Sequence, residues 1–465
     1  MITAGLTDHP VPSYRLRLAA LSLAMLLPSL GTSIANVALP SLAASFHAPF
    51  QDAQWVVIAY LLAVTSLIVG AGRLGDMLGR RRVLLFGIGI FTLTSACGAV
   101  AGNLWVLVAI RGVQGLGAAI MMALTVASVG DMVPKDRTGS AMGLLGTVSA
   151  VGTALGPSLG GLLINWFGWP AVFAFMAAAG AVAFLFGQRV FPADVATERK
   201  PFSFDLAGML LLALSLGAYA LSTTLGGAAP GLSNLVLLAL ALIGIVAFVA
   251  TEARTADPMV QLGLLRDGAL KAGLVSMGLV STIMMATLVV GPFYLFGVLG
   301  LSPVEIGLAM SVGPCVSALT GVPAGRLVDR LGTATVTYTG LFGVALGSVL
   351  MTMLPGAFGV GGYVGALALT TAGYALFQAA NNTAIMNGAA KERRGVTSAL
   401  LGLSRNLGLV TGASAMGAVF ALGSKGAGIP GLGAGGAGGL QLTFAVAAVL
   451  AALALGVALW GRSKG

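Results

Sequence analysis

Charged residues, histidines and cysteines are scarce in this chain, and each shortage excludes a class of protein. Asp, Glu, Lys and Arg make up 8% of its 465 residues and hydrophobic residues 57%, whereas a soluble globular domain carries about 25% charged residues. The two cysteines, Cys97 and Cys315, lie within apolar runs and show neither zinc spacing nor a disulfide framework. Both histidines lie outside those runs, which argues against a membrane-embedded enzyme. The composition predicts an integral membrane protein with no metal and no cofactor.

The chain is rich in long apolar runs. A helix needs about 20 such residues to cross a bilayer. Fourteen runs of this kind are predicted to be helices, at Leu16–Leu39, Ala53–Leu74, Val83–Ala101, Leu104–Val129, Gly139–Ile164, Trp169–Gln188, Leu206–Leu225, Leu232–Ala250, Ala272–Phe296, Ile306–Ala324, Thr335–Leu354, Gly361–Asn387, Val396–Leu422 and Leu440–Trp460. The sequence therefore predicts an all-α integral membrane fold.

Basic residues lie almost entirely on one side of the predicted spans. Of the 24 Lys and Arg residues, all but three fall on the side that holds both termini; Lys425 lies in a loop on the other side, and Arg111 and Arg405 lie within spans. Cytoplasmic loops of membrane proteins carry this excess. Both termini are therefore predicted to be cytoplasmic, in a cell inner membrane. The net charge of +10 reflects this topology and not nucleic-acid binding.

An internal repeat divides the chain. Gly72 to Gly79 reads GRLGDMLG, and Gly325 to Gly332 reads GRLVDRLG. Asp52 and Glu305, each at the start of the preceding predicted helix, are the same number of residues apart. Both loops lie on one side, so the repeat is parallel, as in transporters whose substrate site lies between two halves. The predicted architecture is six, two and six helices: an N-terminal bundle in residues 1–190, two linker helices in 191–260 and a C-terminal bundle in 261–465.

Five sequence patterns resemble those of a known family. They are the loop signature GRLGDMLGRRR from Gly72 to Arg82, the fourth-helix signature LVAIRGVQGLGAA from Leu107 to Ala119, the fifth-helix motif GTALGPSLGGLL from Gly152 to Leu163, the first-helix pattern TSIANVALP from Thr32 to Pro40, and Trp55 with Tyr60 on the second helix. Together they resemble the fourteen-helix drug/proton antiporters of the major facilitator superfamily. The resemblance implies a major facilitator fold and proton-coupled efflux of small amphipathic compounds by rocker-switch alternating access. The predicted partners are the lipid bilayer, an amphipathic substrate and protons, and the protein is expected to be a monomer.

The chain departs from this family at one position. The family has an Asp five residues before the first-helix Asn; here the Asn is Asn36, and Gly31 stands in place of the Asp. No carboxylate lies near the predicted bilayer centre, where proton carriers usually stand. A cavity of this kind favours neutral or anionic amphiphiles over dications. An uncoupled facilitator or metabolite uniporter is therefore the alternative function.

Polar residues within the predicted spans are candidates for the substrate cavity. Arg111 lies about 10 Å into the fourth predicted helix, where a charge usually faces the interior of a bundle; an Arg that snorkels to the interface is the alternative. The polar stripes on the first and twelfth helices fit a cavity wall, although interhelical hydrogen bonds would explain them too. The predicted cavity residues are Asn36, Tyr60, Arg111, Gln114, Gln378, Asn381, Asn382 and Arg405.

Two further sets are gating candidates. Gly152, Gly156 and Gly160 recur every fourth residue beside Pro157 and form a smooth helix face. The resemblance implies a flexible seam there between the two halves, and ordinary small-residue packing is the alternative. It also implies a latch of charge pairs on the side of the termini, where a solvated loop is the alternative. The predicted latch residues are Gly72, Asp76, Gly79, Arg80 and Asp329.

Three carboxylates at the ends of predicted spans are candidate proton sites. They are Asp52, Asp131 and Glu305. Asp52 and Glu305 lie on the side opposite the termini, and each also suits a helix start. Glu305 completes the sequence SPVE from Ser302, which is the pattern of a capping box.

Overall fold

A computed structural model describes residues 14–134, 138–192, 194, 205–225, 231–255, 263, 267–388, 394–426, 433 and 435–462. These residues fold into α-helices, and none of them lies in a strand. The helices are α1 (Tyr14–Ser45), α2 (Phe50–Ala53), α3 (Trp55–Leu78), α4 (Arg80–Ala99), α5 (Leu104–Met132), α6 (Thr138–Phe167), α7 (Pro170–Val190), α8 (Leu206–Thr224), α9 (Leu232–Glu252), α10 (Gly268–Gly297), α11 (Pro303–Leu331), α12 (Thr333–Gly388), α13 (Arg394–Thr411), α14 (Gly417–Ser424) and α15 (Gly436–Arg462). A π-helical segment, Gly412–Met416, joins α13 to α14.

The long helix α12 is a hairpin of two spans. Its 56 residues would extend about 84 Å at the usual rise per residue, and Gly359 interrupts them with a φ of 54°. A Cβ atom placed on Gly347 would lie 2.7 Å from the Thr370 nitrogen, and one on Gly340 would lie 2.5 Å from the Phe377 nitrogen. The two arms therefore run antiparallel in close contact. The described residues hold 13 apolar helical segments that could cross a membrane, and α12 supplies two spans, which confirms the predicted all-α fold of fourteen spans.

Side-chain caps fix several helix starts. The Asn103 Oδ1 atom accepts a hydrogen bond from the Trp105 amide at 2.8 Å and starts α5. The predicted capping box starts α11, since the Glu305 carboxylate accepts from the Ser302 amide at 2.8 Å and Ser302 Oγ accepts from the Glu305 amide at 3.4 Å. These side chains satisfy amide groups that a helix N-terminus leaves without a partner.

The structure differs from the predicted spans mainly at helix ends, several of which extend further than predicted, and in one added helix. The helix predicted to end at Leu74 continues to Leu78 as α3, because backbone hydrogen bonds carry a helix past the apolar run into polar sequence. The short helix α2 was not predicted; it stands before α3 and is separated from it by Gln54.

The helices pack in two groups, the first from α1 to α7 and the second from α10 to α15, and a pair, α8 with α9. We call the membrane face at which α1 begins and α15 ends the termini face, and the other the opposite face. α1 packs on α6, and α5 packs on α3 and α4; α10 packs on α13 and α15, and α12 packs on α11 and α15. The main contact between the groups joins α6 to α11. α8 packs on α3 and on the π-helical segment, and α9 packs on α8.

Candidate functional site

Arg111 is buried among α1, α3 and α5, with none of its surface exposed. Its Nε atom donates to the Val56 carbonyl on α3 at 2.9 Å, and Nη2 donates to the Gly31 carbonyl on α1 at 3.1 Å. Its Nη1 atom donates to Gln114 Oε1 at 2.5 Å. No carboxylate pairs with this guanidinium within the part of the chain that the structure describes. One cation thus ties three helices together through main-chain and amide oxygens.

Tyr60 and Gln114 complete this buried cluster. The guanidinium carbon of Arg111 lies 4.1 Å from the centroid of the Tyr60 ring, within the range of a cation–π contact. The Tyr60 hydroxyl donates to the Pro28 carbonyl at 2.9 Å, and Gln114 Nε2 donates to Ser95 Oγ at 2.6 Å. The Arg111 side chain is thus fully buried and hydrogen-bonded inside the bundle, which does not fit the snorkelling alternative.

Gly31 lies directly beside this cluster. A Cβ atom placed on it would lie 3.2 Å from Phe91 Cζ and 3.4 Å from the Tyr60 hydroxyl oxygen. The Gly31 carbonyl accepts a hydrogen bond from Arg111. At the position where the family has an acid, this chain thus offers a neutral main-chain oxygen to the guanidinium.

The polar stripe of α12 faces α10 and α13. Gln378 Nε2 donates to the Tyr374 hydroxyl at 2.9 Å, and Asn381 Nδ2 donates to the Gly273 carbonyl on α10 at 3.2 Å. Part of the stripe therefore makes hydrogen bonds within the bundle. This is what the alternative to a cavity wall predicted.

The buried polar atoms that have no partner among the described residues include four on α1, α12 and α13. They are Asn36 Oδ1 on α1, Asn382 Oδ1 on α12, and Arg405 Nε and Asn406 Nδ2 on α13. Buried polar atoms are nearly always hydrogen-bonded, so each exception calls for an explanation such as a ligand or water. Three of these residues were predicted as cavity residues; Asn406 was not, because a single amide in a helix carries no distinctive sequence pattern.

The predicted glycine seam of α6 divides between two neighbours. Cβ atoms on Gly152, Gly156 and Gly160 would collide with α1, for example 2.9 Å from the Leu26 carbonyl for Gly152 and 2.9 Å from Ile34 Cγ1 for Gly160. The contact with α11 runs through the next face of the helix. There the Pro157 carbonyl would lie 2.5 Å from a Cβ atom on Gly307.

Gly161 completes that contact with α11. A Cβ atom on Gly161 would collide with the Pro303 carbonyl and lie 3.1 Å from Gly307 Cα. Gly161 was not singled out in the sequence, because it breaks the four-residue spacing. α6 and α11 thus meet with backbone against backbone near the opposite face.

An aromatic cluster joins α2 to α10 and α14 near the opposite face. The Phe50 ring on α2 lies 4.5 Å from that of Phe293 on α10 and 5.2 Å from that of Phe420 on α14, measured between centroids. Gln54 is fully buried beside it, and neither atom of its amide has a partner among the described residues. A Cβ atom on Gly417 would collide with Gln54 Oε1. Sequence analysis missed this cluster, since phenylalanines in apolar runs look like ordinary core.

On the termini face, the turn between α3 and α4 is held by a residue that sequence analysis also missed. Gly79 has a φ of 98°, a conformation that favours glycine. The Asp194 carboxylate accepts from the Arg81 amide at 2.9 Å and the Arg82 amide at 3.2 Å, and so caps α4. Arg80 Nη1 donates to the Ala127 carbonyl on α5 at 2.7 Å. These contacts all lie within the first helix group.

The other predicted gating and proton residues make few contacts or lie outside the described residues. A Cβ atom on Gly72 would meet open space, and Asp329 is exposed. Asp52 is half-buried in α2 and Glu305 is exposed at the start of α11. The side chains of Asp76 and Asp131 lie outside the described residues. Their gating and proton roles therefore stay predictions.

The chain is similar to known transporters along most of its length. A family model described as Major Facilitator Superfamily matches residues 21–413. An uncharacterized transporter, YebQ, of Escherichia coli (strain K12) is 32% identical over 386 residues, which cover 82% of this chain and 84% of that one. The multidrug resistance protein Stp of Mycobacterium tuberculosis is 31% identical over 87% of this chain and 76% of its own.

Further similarity extends to one named metabolite transporter and to solved structures. The riboflavin transporter RibZ of Clostridioides difficile is 29% identical over 87% of this chain and 88% of its own. The crystal structure of a bacterial homolog of the human lysosomal transporter Spinster, in an inward-facing and unoccupied conformation, aligns with a TM-score of 0.70 at 16% identity, covering 98% of both chains. The protein is a multi-pass membrane transporter that belongs to the major facilitator superfamily.

Proposed function

We propose that this chain exports small amphipathic compounds by alternating access, in exchange for protons, across a cell inner membrane. The observation that carries the proposal is the set of unpartnered buried polar atoms on both helix groups, Asn36 Oδ1 on one and Asn382 Oδ1 and Arg405 Nε on the other. A substrate between the groups would supply the missing hydrogen bonds. The relative LfrA of Mycolicibacterium smegmatis, which is named a multidrug efflux pump, supports efflux as the direction of transport.

The charges within the spans favour neutral or anionic substrates. Arg111 and Arg405 are both cations, and the described carboxylates stand at helix ends. Arg111 already has hydrogen-bond acceptors, whereas Arg405 Nε has none among the described residues. Arg405 lies about 16 Å along α13 at the usual helical rise, deep enough to meet a substrate near the middle of the bilayer. Arg405 is therefore the proposed anion-binding residue.

Arg405→Gln is expected to weaken binding of an anionic amphiphile by at least about tenfold, because one charge-assisted hydrogen bond contributes about 1.5–3 kcal/mol. Binding of a neutral amphiphile of similar size should change little. Tryptophan-quenching titrations of the purified protein measure both affinities. Arg330→Gln, which removes an exposed charge at the end of α11, is the matched control. An Arg405→Gln variant with unchanged affinity for the anion contradicts the assignment.

An uncoupled facilitator is the second candidate, and Gly31 is the observation that favours it. The guanidinium of Arg111 rests on main-chain oxygens and an amide, none of which takes up a proton near neutral pH. Proton exchange would then fall to the helix-end carboxylates. Glu305 already accepts two hydrogen bonds from Ser302, so Asp52 and Asp131 are the better candidates.

Transport assays in proteoliposomes distinguish a proton-coupled exporter from an uncoupled facilitator. A panel of neutral, anionic and cationic amphiphiles is assayed with and without an imposed pH gradient. An exporter driven by protons concentrates its substrate only when the gradient is present. Equilibration at the same rate with and without the gradient would refute proton exchange and leave the facilitator.

Gly31→Asp is expected to raise transport of a cationic dye by about tenfold over Gly31→Asn, since a carboxylate beside the cavity attracts a cation and about 1.4 kcal/mol is a factor of ten. Asn has nearly the same shape as Asp, so the comparison isolates the charge. The space is tight but walled by the Phe91 and Tyr60 side chains. Initial dye uptake rates measure the effect. Equal rates for the two variants would mean that position 31 does not influence the substrate.

A further inference from the structure

A cavity of about 420 Å³ lies on the opposite face, apart from the cluster around Arg111. It is formed where α2 and α3 begin, where α5 begins and where α8 ends, with the residue after α14 completing the wall. α8 is one of the two helices between the six-helix groups, so this cavity joins that extra pair to both. Its volume falls within the range of small-ligand sites.

Two charges of opposite sign line this cavity without neutralising each other. Asp52 is half-buried in α2, and Lys425 is exposed after α14. Among the described residues neither makes an ion pair, although both border the same space. A ligand that carries both a positive and a negative group would match this arrangement.

Two tryptophans form the apolar part of the wall. Trp55 is held in place, because its Nε1 atom donates to Thr224 Oγ1 on α8 at 3.0 Å. Trp105 is 52% exposed at the start of α5. The face of an aromatic ring attracts the positive charge of an ammonium group. The carboxylate of Asp52 beside these rings adds to that attraction. Tryptophan also favours the headgroup level of a bilayer, where its apolar ring and its N–H group are both accommodated.

Exposed apolar side chains surround the cavity. Leu225 in its wall is 44% exposed and Val106, next to Trp105, is 52% exposed. In a membrane such side chains would face lipid. An occupant with an apolar tail would lie along these side chains while its polar end enters the cavity. This combination of an apolar exterior and paired charges inside fits a membrane lipid better than a free solute.

We infer that this cavity binds the headgroup of an ethanolamine phospholipid from the leaflet on the opposite face, with the ammonium on Asp52 and the phosphate on Lys425. The N–H groups of a primary ammonium hydrogen-bond to a carboxylate, which a choline group does not do. The hydroxyls of a glycerol headgroup can donate hydrogen bonds to Asp52, but they carry no positive charge to pair with its carboxylate. The lipid would hold α8 against α3 and α14, and so give the extra helix pair a defined attachment.

The test is lipid retention by the purified full-length protein, measured by native mass spectrometry with phosphatidylethanolamine, phosphatidylcholine and phosphatidylglycerol of the same acyl chains. Ethanolamine lipid is expected to bind most tightly. Asp52→Asn and Lys425→Gln are each expected to weaken its binding by at least about tenfold, the effect of about 1.4 kcal/mol. Asp267→Asn, which keeps a helix cap at the start of α10, and Arg330→Gln are the matched controls and should bind as the unchanged protein does.

Three outcomes would overturn the inference. Equal binding of choline lipid would show that the carboxylate does not select an amine. Equal binding of glycerol lipid, with only Lys425→Gln having an effect, would reduce the site to attraction of phosphate. An equal loss in the control variants would attribute the change to general loss of surface charge. Since folded protein is selected by its narrow charge-state distribution and its monodispersity, a binding loss is read only from folded variants.

Discussion

Arg111→Lys is expected to lower transport by at least about tenfold and to reduce the free energy of unfolding by about 3–5 kcal/mol, the cost of leaving a buried charge without its partners. The guanidinium reaches Val56 on α3, Gly31 on α1 and Gln114 on α5 at once. A lysine ammonium is a single point on a flexible stem and does not bridge three diverging acceptors. The charge remains, but the connection between the three helices is lost.

Thermal unfolding in detergent and substrate uptake in proteoliposomes measure the two effects separately. Arg330→Lys makes the same exchange at an exposed helix end and should change neither. If Arg111→Lys transports and unfolds like the unchanged protein, the three hydrogen bonds are not what holds α1, α3 and α5 in place.

Gly307→Val is expected to open the opposite face and to slow transport. A Cβ atom on Gly307 would lie 2.5 Å from the Pro157 carbonyl and 3.2 Å from Gly161 Cα, so α6 and α11 must separate to admit a side chain. Overpacking costs about 1–3 kcal/mol, and an equilibrium between two states shifts about 5- to 150-fold for that difference. The population of the state in which Phe50, Phe293 and Phe420 are in contact should therefore fall.

Accessibility of a cysteine behind the aromatic cluster reports this opening. Cys97 and Cys315 are exposed, so both are first replaced by alanine, and Gln54→Cys supplies the single thiol. Gly307→Val should raise its rate of reaction with a membrane-impermeant maleimide by at least about fivefold. Gly321→Val, on the same helix but with open space around it, is the control. Equal rates in the two variants would show that α6 and α11 do not hold this face closed.

The spans of the fold were predictable because they depend on a short-range property. Fourteen apolar runs of sufficient length are visible without any knowledge of tertiary contacts. Even α12, whose two arms meet at Gly359, was predicted as two helices, since one apolar run ended at Leu354 and the next began at Gly361. The helix ends were less predictable, as the extension of α3 to Leu78 shows.

The residues around Arg111 illustrate how far the sequence informs a site. Arg111, Tyr60 and Gln114 stood out by type and position, and the structure brings them together. The Val56 and Gly31 carbonyls that complete the cluster had no signal, because every residue carries a carbonyl and only the packing selects these two.

Contacts between distant segments escaped the sequence for a related reason. Asp194 caps α4 from a loop more than a hundred residues further along the chain, and no spacing rule connects the two. Gly161 faces α11 while the regularly spaced Gly160 faces α1, because adjacent residues of a helix point about 100° apart. The pattern identified the right helix and, at Pro157, a residue in contact with α11, but its three regularly spaced glycines face α1.

Alternating access is tested most directly by distances across both faces. In the cysteine-free protein, one pair of spin labels is placed at Gly102 and Gly356, which are exposed on the opposite face, and another at Leu78 and Leu331, at the exposed ends of α3 and α11 on the termini face. Double electron–electron resonance is recorded in lipid nanodiscs with and without a transported amphiphile and at two pH values. We expect one distance to lengthen while the other shortens under the same change of conditions. Distances that stay fixed, or that change in the same direction on both faces, would contradict a transporter that opens to one side at a time.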